Sequence, residues 1–400
     1  MNRENIIKGM DHFILFCFCV LVIFLPIRET EGIRSFSFGI PLGLWIIKML
    51  ITRQWSLART PADIPILLFT MVAGLSLITA VDFHYSLEEY TGEWLTGVVL
   101  FYLVVNNFRE EQMKYLLGAL LLGNLLMVTY GIYDFFHRGG LLFDYGVRAG
   151  SLHSGPGTFS TYLVTVLPYL LVAVFQARKI SLRLMIMALI LGNLFALYLT
   201  HMRGVWIAVA VPLFWVGWRF LPKAAFLISV ALVVVLILLF APSKVIRHQT
   251  PLTATGSPLA SIETGRARWE LTKFCLEKIK ENPFRMIGFG RRSFVKKYKE
   301  FYLQYKGAQL WHAHNTFLDI ALQTGIQGLA FFCFLLYKLL RYTYGGASLE
   351  NSPWRRWYLL GTFMMIVTFF VRNLSDDFFV DDSALLFWFL SGAAVALRKG

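Results

Sequence analysis

The feature that most constrains the fold is a series of apolar runs, each close to 20 residues long, that recurs along most of the chain. A helix of about 20 apolar residues spans the roughly 30 Å hydrocarbon core of a bilayer. Twelve such runs lie near residues 12–27, 36–51, 62–81, 94–108, 113–135, 157–177, 183–200, 203–219, 223–241, 314–340, 354–372 and 383–398. The second, fourth and eighth are short. The sequence therefore predicts an all-α polytopic membrane protein with about twelve transmembrane helices.

Composition agrees with this fold class. Hydrophobic residues make up 57% of the chain and charged residues 16%, whereas soluble domains have roughly 45–50% and 25%. A soluble globular protein is thereby excluded. The sequence has no CxxC or other zinc spacing and neither a GxGxxG nor a GxxxxGK[ST] loop. We therefore expect no cofactor, neither a zinc ion nor a bound nucleotide.

The distribution of basic residues predicts the orientation. The first apolar run follows Arg3 and Lys8 but lacks a small-residue cleavage site, so we expect it to remain as the first helix. With both termini inside, eighteen Lys and Arg fall in inside segments and six in short outside loops. Positive residues favour the cytoplasmic side. The predicted topology is N-in and C-in.

One outside loop, 242–312, is strongly basic. It carries fourteen Lys and Arg against five Glu. The loop also separates the first nine predicted helices (1–241) from the last three (313–400). Long loops cross the membrane regardless of charge. Its charge fits a solvated face, attraction to anionic headgroups, or docking of an anionic substrate. Within it, Ile262–Lys280 predicts an amphipathic helix on the membrane surface that ends at Asn282-Pro283.

Several arginines on the predicted outer side could bind phosphate, because a guanidinium binds two phosphate oxygens at once. Arg203 stands at the outer end of the eighth run, and Arg266 opens the predicted loop helix. Arg148 and Arg291 lie on the same side. Arg203 could instead snorkel to headgroups, and Arg266 could be an ordinary exposed basic residue.

The segment Trp311–Asn315 places two histidines where the basic loop enters the tenth run. Imidazole exchanges a proton near neutral pH. On a helix, His312 and His314 would point roughly 200° apart, so we expect them not to share a metal ion, and no metal site is predicted. Asn315 could cap the helix that follows. Asp319, one turn inside the run, requires a partner or a proton.

These residues resemble the motifs of a known family. His314-Asn315, nine residues, Gly325, two residues and Gly328 are similar to the H[NSQ]-x9-G-x2-G signature of the O-antigen ligase family. Arg203 to Ile207 resembles its R-x3-L motif, with Ile in place of Leu. The resemblance implies a GT-C-like, inverting and metal-independent glycosyltransferase. Such an enzyme moves a polysaccharide from undecaprenyl pyrophosphate to a sugar hydroxyl of lipid A–core, on the periplasmic face of a bacterial inner membrane.

The same family contains O-antigen polymerases and protein O-oligosaccharyltransferases, which share the outer loop and its signature. The latter usually carry a longer C-terminal outer domain, whereas this sequence ends just after the twelfth run, which counts against that class. Ligase and polymerase use the same donor, and the residues do not distinguish them. A lipid or solute transporter would need polar or helix-breaking residues within spans. Pro168 and Pro212 interrupt spans, but the candidate polar residues gather at outer ends.

Residues and resemblance together predict one mechanism. His314 would be the general base that deprotonates the acceptor hydroxyl, while arginines neutralise the leaving pyrophosphate. The predicted pyrophosphate-binding residues are Arg203 and Arg266, with Arg148 and Arg291 as weaker candidates. The predicted supporting residues are His312, Asn315, Asp376 and Asp377.

Overall fold

The structure, a computed structural model, describes residues 3–53, 55, 57–143, 146–153, 155–220, 222–223, 227, 258–304 and 310–397. Every regular element within these ranges is helical, and they contain no β-strand. The prediction of an all-α fold is confirmed.

The helices are numbered in chain order. The first nine are α1 (Arg3–Phe24), α2 (Glu31–Thr52), α3 (Asp63–Ser76), α4 (Phe83–Glu89), α5 (Thr96–Asn107), α6 (Met113–His137), α7 (Pro156–Gln176), α8 (Ile180–Leu199) and α9 (Arg203–Phe220). The remaining six are α10 (Pro258–Glu281), α11 (Ser293–Lys297), α12 (Lys299–Gln304), α13 (Thr316–Leu349), α14 (Pro353–Arg372) and α15 (Asp381–Leu397). A π-helical turn, Tyr90–Leu95, joins α4 to α5, and a 3₁₀ turn, Glu110–Gln112, precedes α6.

Eleven of the twelve predicted spans coincide with a helix. The ninth, 223–241, lies outside the described residues except for two isolated positions. By length and composition, six helical segments could cross a membrane: α1, α2, Glu110–His137, α7, α8 and α13. The described chain is therefore that of a helical membrane protein. The number of twelve spans and the N-in, C-in orientation stay predictions.

The centre of the molecule is formed by α15, which packs along α5 and also contacts α7 and α14. All but one of its residues from Ala384 to Leu397 are buried, as expected of a helix that is apolar on every side. Glycines allow its close approach to α5, because a Cβ on Gly97 would meet Trp388 and one on Gly392 would meet the backbone of Phe101. Small residues serve this purpose at helix contacts in membranes.

The outer helices expose apolar side chains instead. Phe36 and Leu50 of α2 and Leu184 and Leu191 of α8 are more than half exposed. So large an apolar surface is rare on proteins surrounded by water. It is suited to contact with lipid chains.

Charged side chains pair at the two ends of the helices. At one end Asp11 binds Lys48 (2.6 Å) and Arg109 (3.0 Å). At the other end Arg34 pairs with Asp382. The first end carries basic residues that the predicted topology places inside, and the second carries acidic loops that it places outside. The candidate site lies at the second end.

Candidate active site

The histidine segment is fixed by the start of α13. The side-chain oxygen of Asn315 accepts hydrogen bonds from the backbone N–H groups of Phe317 (2.9 Å) and Leu318 (3.2 Å). Its amide nitrogen donates to the carbonyl of Leu374 (3.1 Å). Asn315 is thus the N-cap of α13, as the sequence allowed. It also ties the helix start to the connection between α14 and α15, next to His314.

The two histidines lie before the helix and face each other. His314 has a left-handed backbone conformation (φ 49°), and the ring centroids of His312 and His314 are 4.0 Å apart. The expectation that their rings point in different directions is therefore wrong, because it assumed helical geometry for both residues. The structure brings them together in one cluster.

Asp319 provides the anchor of this cluster. Its Oδ2 lies 3.0 Å from Nδ1 of His312, and its Oδ1 accepts the backbone N–H of Ala313 (2.9 Å). The carboxyl is only 1% exposed. A carboxylate buried in an apolar helix is costly unless it is hydrogen-bonded. The partner that the sequence required for Asp319 is therefore His312.

Asp376, on the connection between α14 and α15, binds the other histidine. Its Oδ1 lies 2.9 Å from Nδ1 of His314 and 3.5 Å from Nε2 of His312. Burial lowers the pKa of His314, and the hydrogen bond to Asp376 opposes this shift in part. Burial would raise the pKa of Asp376, but the hydrogen bond from His314 and the charge of Arg372 hold this pKa below its usual range. A neutral imidazole facing a carboxylate carries its proton on Nδ1 and its basic lone pair on Nε2.

Asp377 has a different environment, although it is the next residue. Its Oδ1 accepts the hydroxyl of Thr316 (2.7 Å) and the backbone N–H of Phe379 (3.2 Å). Burial and the negative charge of Asp319 raise the pKa of Asp377. Of the two predicted supporting carboxylates, Asp376 therefore contacts the histidine pair directly, and Asp377 holds the start of α13.

Two overlapping groups in this cluster could offer ligands to a metal ion. They are His312, His314 and Asp376, and His312, Asp319 and Asp377, with ligand atoms within 4.8 Å of one another. The prediction of no metal site rested on the helical spacing of the histidines, so that argument no longer holds. The 2.9 Å separation of His314 Nδ1 and Asp376 Oδ1 is that of a hydrogen bond. The geometry therefore suits proton transfer without an ion.

The predicted phosphate-binding arginines occupy different elements. Arg203 is the first residue of α9 and Arg266 lies within α10, and the side chains of both are outside the described part of the structure. The prediction that Arg266 opens the loop helix is wrong, because α10 begins at Pro258, a residue favoured at first helical positions. Arg148 is exposed, and no described contact joins it to the histidine cluster.

Arg291 is held by acidic groups. Its Nη1 donates to the backbone carbonyl of Asp377 (3.0 Å), and its Nη2 lies 3.6 Å from the carboxylate of Asp381. Its guanidinium carbon is 5.2 Å from the centre of the Trp311 ring. These partners already compensate much of its charge.

Two arginines next to Asp376 were not singled out from the sequence. Arg268 of α10 donates to the backbone carbonyl of Ser375 (3.2 Å), and its Nη2 is 4.0 Å from the carboxylate of Asp376. Arg372, the last residue of α14, is buried and bonds to the Ser375 hydroxyl (2.7 Å). The contact of Arg268 joins residues 107 apart and depends on how α10 packs, whereas Arg372 and Ser375 are only three residues apart.

The first glycine of the signature breaks α13. Gly325 has φ 74° and ψ 174°, and the chain nearby pairs with another segment. The carbonyls of Leu322 and Gln323 accept the backbone N–H groups of Ile287 and Gly288 (both 3.3 Å). The side-chain oxygen of Gln323 accepts a hydrogen bond from the backbone N–H of Gly290 (2.9 Å). The kink therefore fixes the segment that leads into Arg291.

Replacing Gly325 by alanine is expected to lower the free energy of unfolding by about 1–3 kcal/mol, because its backbone conformation is nearly restricted to glycine and a Cβ would meet Gln327. Thermal unfolding of the purified protein measures this. The matched control is Gly345→Ala in the same helix, where a Cβ has open space and the change should be neutral or stabilising by roughly 0.5–1 kcal/mol. Equal effects of the two substitutions would contradict the role of the kink.

A cavity adjoins the cluster on the side of Asp377. Its volume is about 30 Å³, room for about two water molecules. Its lining combines apolar, carboxylate and amide groups, among them Glu93, Trp94, Arg291, Gln323 and Asp377.

The fold and the site define a polytopic helical membrane protein with a buried histidine–carboxylate network at one end of its helices. The model of the O-antigen ligase family matches residues 184–333, which include the start of α9, α10 and the histidine segment. An O-antigen ligase of Salmonella typhimurium is 25% identical over 375 residues, covering 88% of this chain and 89% of the relative. The two matches support assignment of the chain to the O-antigen ligase family. The O-antigen ligase family implies an enzyme of the glycosyltransferase type.

Proposed function

We propose that the protein is an O-antigen ligase that transfers a polysaccharide from undecaprenyl pyrophosphate to a sugar hydroxyl of lipid A–core. The observation that carries this proposal is the pair formed by His314 and Asp376, in which a buried carboxylate orients a neutral imidazole. The relative from Salmonella typhimurium bears this name and aligns over most of both chains.

In the proposed reaction, Nε2 of His314 takes the proton of the acceptor hydroxyl while the hydroxyl oxygen attacks the anomeric carbon of the donor. The bond between that carbon and the pyrophosphate oxygen breaks, and its electron pair leaves with undecaprenyl pyrophosphate. Attack opposite the leaving group inverts the anomeric configuration. The donor supplies the driving force, so no nucleotide is needed.

Positive charge stabilises the leaving group. We assign this role to Arg203 of α9 and Arg266 of α10, both of which lie within the residues that the family model matches. Arg148 and Arg291 are secondary candidates, and the contacts of Arg291 with Asp377 and Asp381 make it the weaker phosphate ligand of the two.

The supporting residues position the base. Asp376 selects the tautomer of His314, as the carboxylate does in other carboxylate–histidine pairs. His312 lies between Asp319 and Asp376 and contacts both carboxylates. It thereby stabilises the turn that carries His314. Asn315 caps α13, and Asp377 accepts a hydrogen bond from the hydroxyl of Thr316, the first residue of α13.

We further propose twelve spans with both termini in the cytoplasm, and an outer loop at 242–312 between the parts 1–241 and 313–400. The active site would then face the periplasm at the inner membrane. The pairing of basic residues with Asp11 at the opposite end supports this orientation, because cytoplasmic ends are enriched in Lys and Arg.

Metal independence has a direct test. Transfer by the purified protein in proteoliposomes, with lipid-linked polysaccharide and lipid A–core, is expected to survive EDTA. The donor atoms available to an ion are already hydrogen-bonded to each other. A loss of transfer that Mg²⁺ or Zn²⁺ restores would show that the cluster holds a metal.

The lipopolysaccharide pattern of a deletion strain tests the function. A ligase predicts loss of all O-chain from lipid A–core, with polymer remaining on the lipid carrier. A single repeat attached to the core would indicate a polymerase, and an unchanged pattern with glycan missing from proteins would indicate a protein O-oligosaccharyltransferase. Repeats trapped on the cytoplasmic face would indicate a transporter.

A further inference from the structure

Arg372 is a buried guanidinium with unused hydrogen-bond donors. The side chain is 1% exposed. Its Nη1 donates to the Ser375 hydroxyl (2.7 Å), and its Cζ lies 4.5 Å from the centre of the Phe378 ring. Its Nε and Nη2 are also buried, and neither has a hydrogen-bond partner among the residues that the structure describes.

Such a group normally has an anion beside it. Burying a guanidinium costs free energy unless it is paired and hydrogen-bonded. No carboxylate among the described residues lies within 4.0 Å of Arg372. The acidic group that acts on it is Asp376, and this carboxylate is already hydrogen-bonded to His314 and approached by Arg268. The cation is therefore only partly compensated by the protein.

The unused nitrogens have the geometry of a phosphate ligand. Nε and Nη2 form one edge of the planar guanidinium, and such an edge donates two parallel hydrogen bonds to two oxygens of one phosphate or carboxylate. The contact of Cζ with the Phe378 ring, 4.5 Å from its centre, restrains the position of the guanidinium. Arg372 thus presents a pre-oriented anion-binding edge.

A second source of positive potential meets Arg372 at Ser375. A Cβ on Gly204, the second residue of α9, would lie 2.8 Å from the Ser375 hydroxyl oxygen, which is the acceptor for Arg372. The N-terminus of α9 therefore abuts the same serine. Helix N-termini favour anions through unpaired N–H groups and the helix dipole.

We propose that Arg372 binds the pyrophosphate of the lipid-linked donor through Nε and Nη2, together with the N-terminus of α9. This inference rests on the proposed function. It places a phosphate next to Ser375 and Asp376, and hence beside the His314 base, and it gives Arg372 a substrate-binding role instead of a structural one.

The two roles predict opposite effects on stability. Without an anion, the uncompensated charge of Arg372 weakens the fold, so Arg372→Met should unfold at the same temperature as the native protein or higher. Inorganic pyrophosphate should raise the unfolding temperature of the native protein, because it binds the folded state only. Its effect on Arg372→Met should be much smaller, because only Arg203 and Arg266 would remain to bind it. Arg372→Lys keeps a charge but loses the edge, and its dissociation constant for pyrophosphate should rise roughly tenfold or more.

The measurement is thermal unfolding of the full-length protein in detergent, with and without inorganic pyrophosphate. The matched control is Arg355→Met, which removes an arginine paired with Glu110 (2.5 Å) at the opposite end. This control should unfold at a lower temperature and keep the full pyrophosphate shift. If Arg372→Met unfolds at a much lower temperature, or keeps the native shift, or if Arg372→Lys binds like the native protein, the proposal is overturned.

A parallel experiment distinguishes the donor from a membrane phospholipid. The protein is reconstituted in vesicles with and without phosphatidylglycerol, and pyrophosphate binding is measured in both. Stabilisation by phosphatidylglycerol that depends on Arg372 and that pyrophosphate does not displace would show a headgroup site and overturn the proposal. The proposal would also be overturned if pyrophosphate did not change the unfolding temperature of the native protein. In that case the lipopolysaccharide phenotype of the deletion strain would still test the proposed function.

Discussion

Replacing His314 by alanine is expected to reduce glycan transfer by roughly 10²–10⁴-fold, the usual contribution of a general base. The substitution removes Nε2, the atom proposed to accept the proton of the acceptor hydroxyl. It leaves Asp376, His312 and Asp319 in place. The measurement is the turnover number in proteoliposomes at saturating lipid-linked polysaccharide. Because the base acts on the acceptor, binding of the donor should change little.

The matched control is His84→Ala, which removes an exposed histidine from α4 at the same end of the molecule. It should leave turnover unchanged. Near-normal transfer by His314→Ala would show that another group is the base. A lost donor affinity with unchanged turnover would instead assign His314 to pyrophosphate binding.

The geometry also separates His314 from His312. The side chain of His312 is 2% exposed and lies between two carboxylates, Asp319 and Asp376. The side chain of His314 is 13% exposed and contacts Asp376 alone among the described carboxylates. A base must reach its substrate, so His314 is suited to the reaction and His312 to positioning.

Features that depend on local chemistry were predictable from the sequence. The apolar runs located eleven helices, because helix length in a membrane is set by the bilayer. Asn315 could be recognised as a cap, and Asn282-Pro283 correctly marked the end of α10 at Glu281. The position of Asp319 in an apolar run predicted that its carboxyl group needs a partner or a proton.

Features that depend on tertiary packing were not predictable. The facing rings of His312 and His314 follow from the left-handed conformation of His314, which no spacing rule indicates. Asp376 lies 62 residues from His314 in the chain, so only the packing of α14 against α13 brings them together. The same holds for Arg268, whose partner Ser375 lies 107 residues further along the chain. Gly325 was identified as part of the signature, but the kink that it forms in α13 was not predicted.

The pH dependence of transfer follows from the environment of His314. A general base must be unprotonated, so the rate rises as pH increases through the pKa of His314 and then levels off. Burial lowers this pKa below the ordinary value of 6.5. The rise should therefore occur at lower pH than for a free imidazole, and transfer should then level off until another group titrates.

Replacing Asp376 by asparagine is expected to change the pH–rate profile in two ways. The plateau, the constant rate at higher pH, should fall by roughly 10²-fold or more. The acidic limb, the rise of the rate with pH, should move to lower pH. The plateau falls because an amide nitrogen facing Nδ1 cannot accept its proton, so the imidazole loses the tautomer with a basic Nε2. The limb moves because the hydrogen bond and charge of Asp376 raise the pKa of His314 against the effect of burial. Without them, burial acts unopposed and the base stays neutral in more acidic solution.

The sign of this shift distinguishes orientation of the base from a purely structural role. The profile of kcat/KM between about pH 5 and 8, which reports the free enzyme, is measured for the native protein, Asp376→Asn and the control Asp82→Asn. Asp82 pairs with Lys296 (2.5 Å) and caps α4 at the same end of the molecule, and asparagine also caps helices well. The control should therefore keep both plateau and limb. A lower plateau for Asp376→Asn with an unmoved limb would mean that Asp376 only shapes the loop, and a limb displaced to higher pH would mean that His314 is not the titrating base.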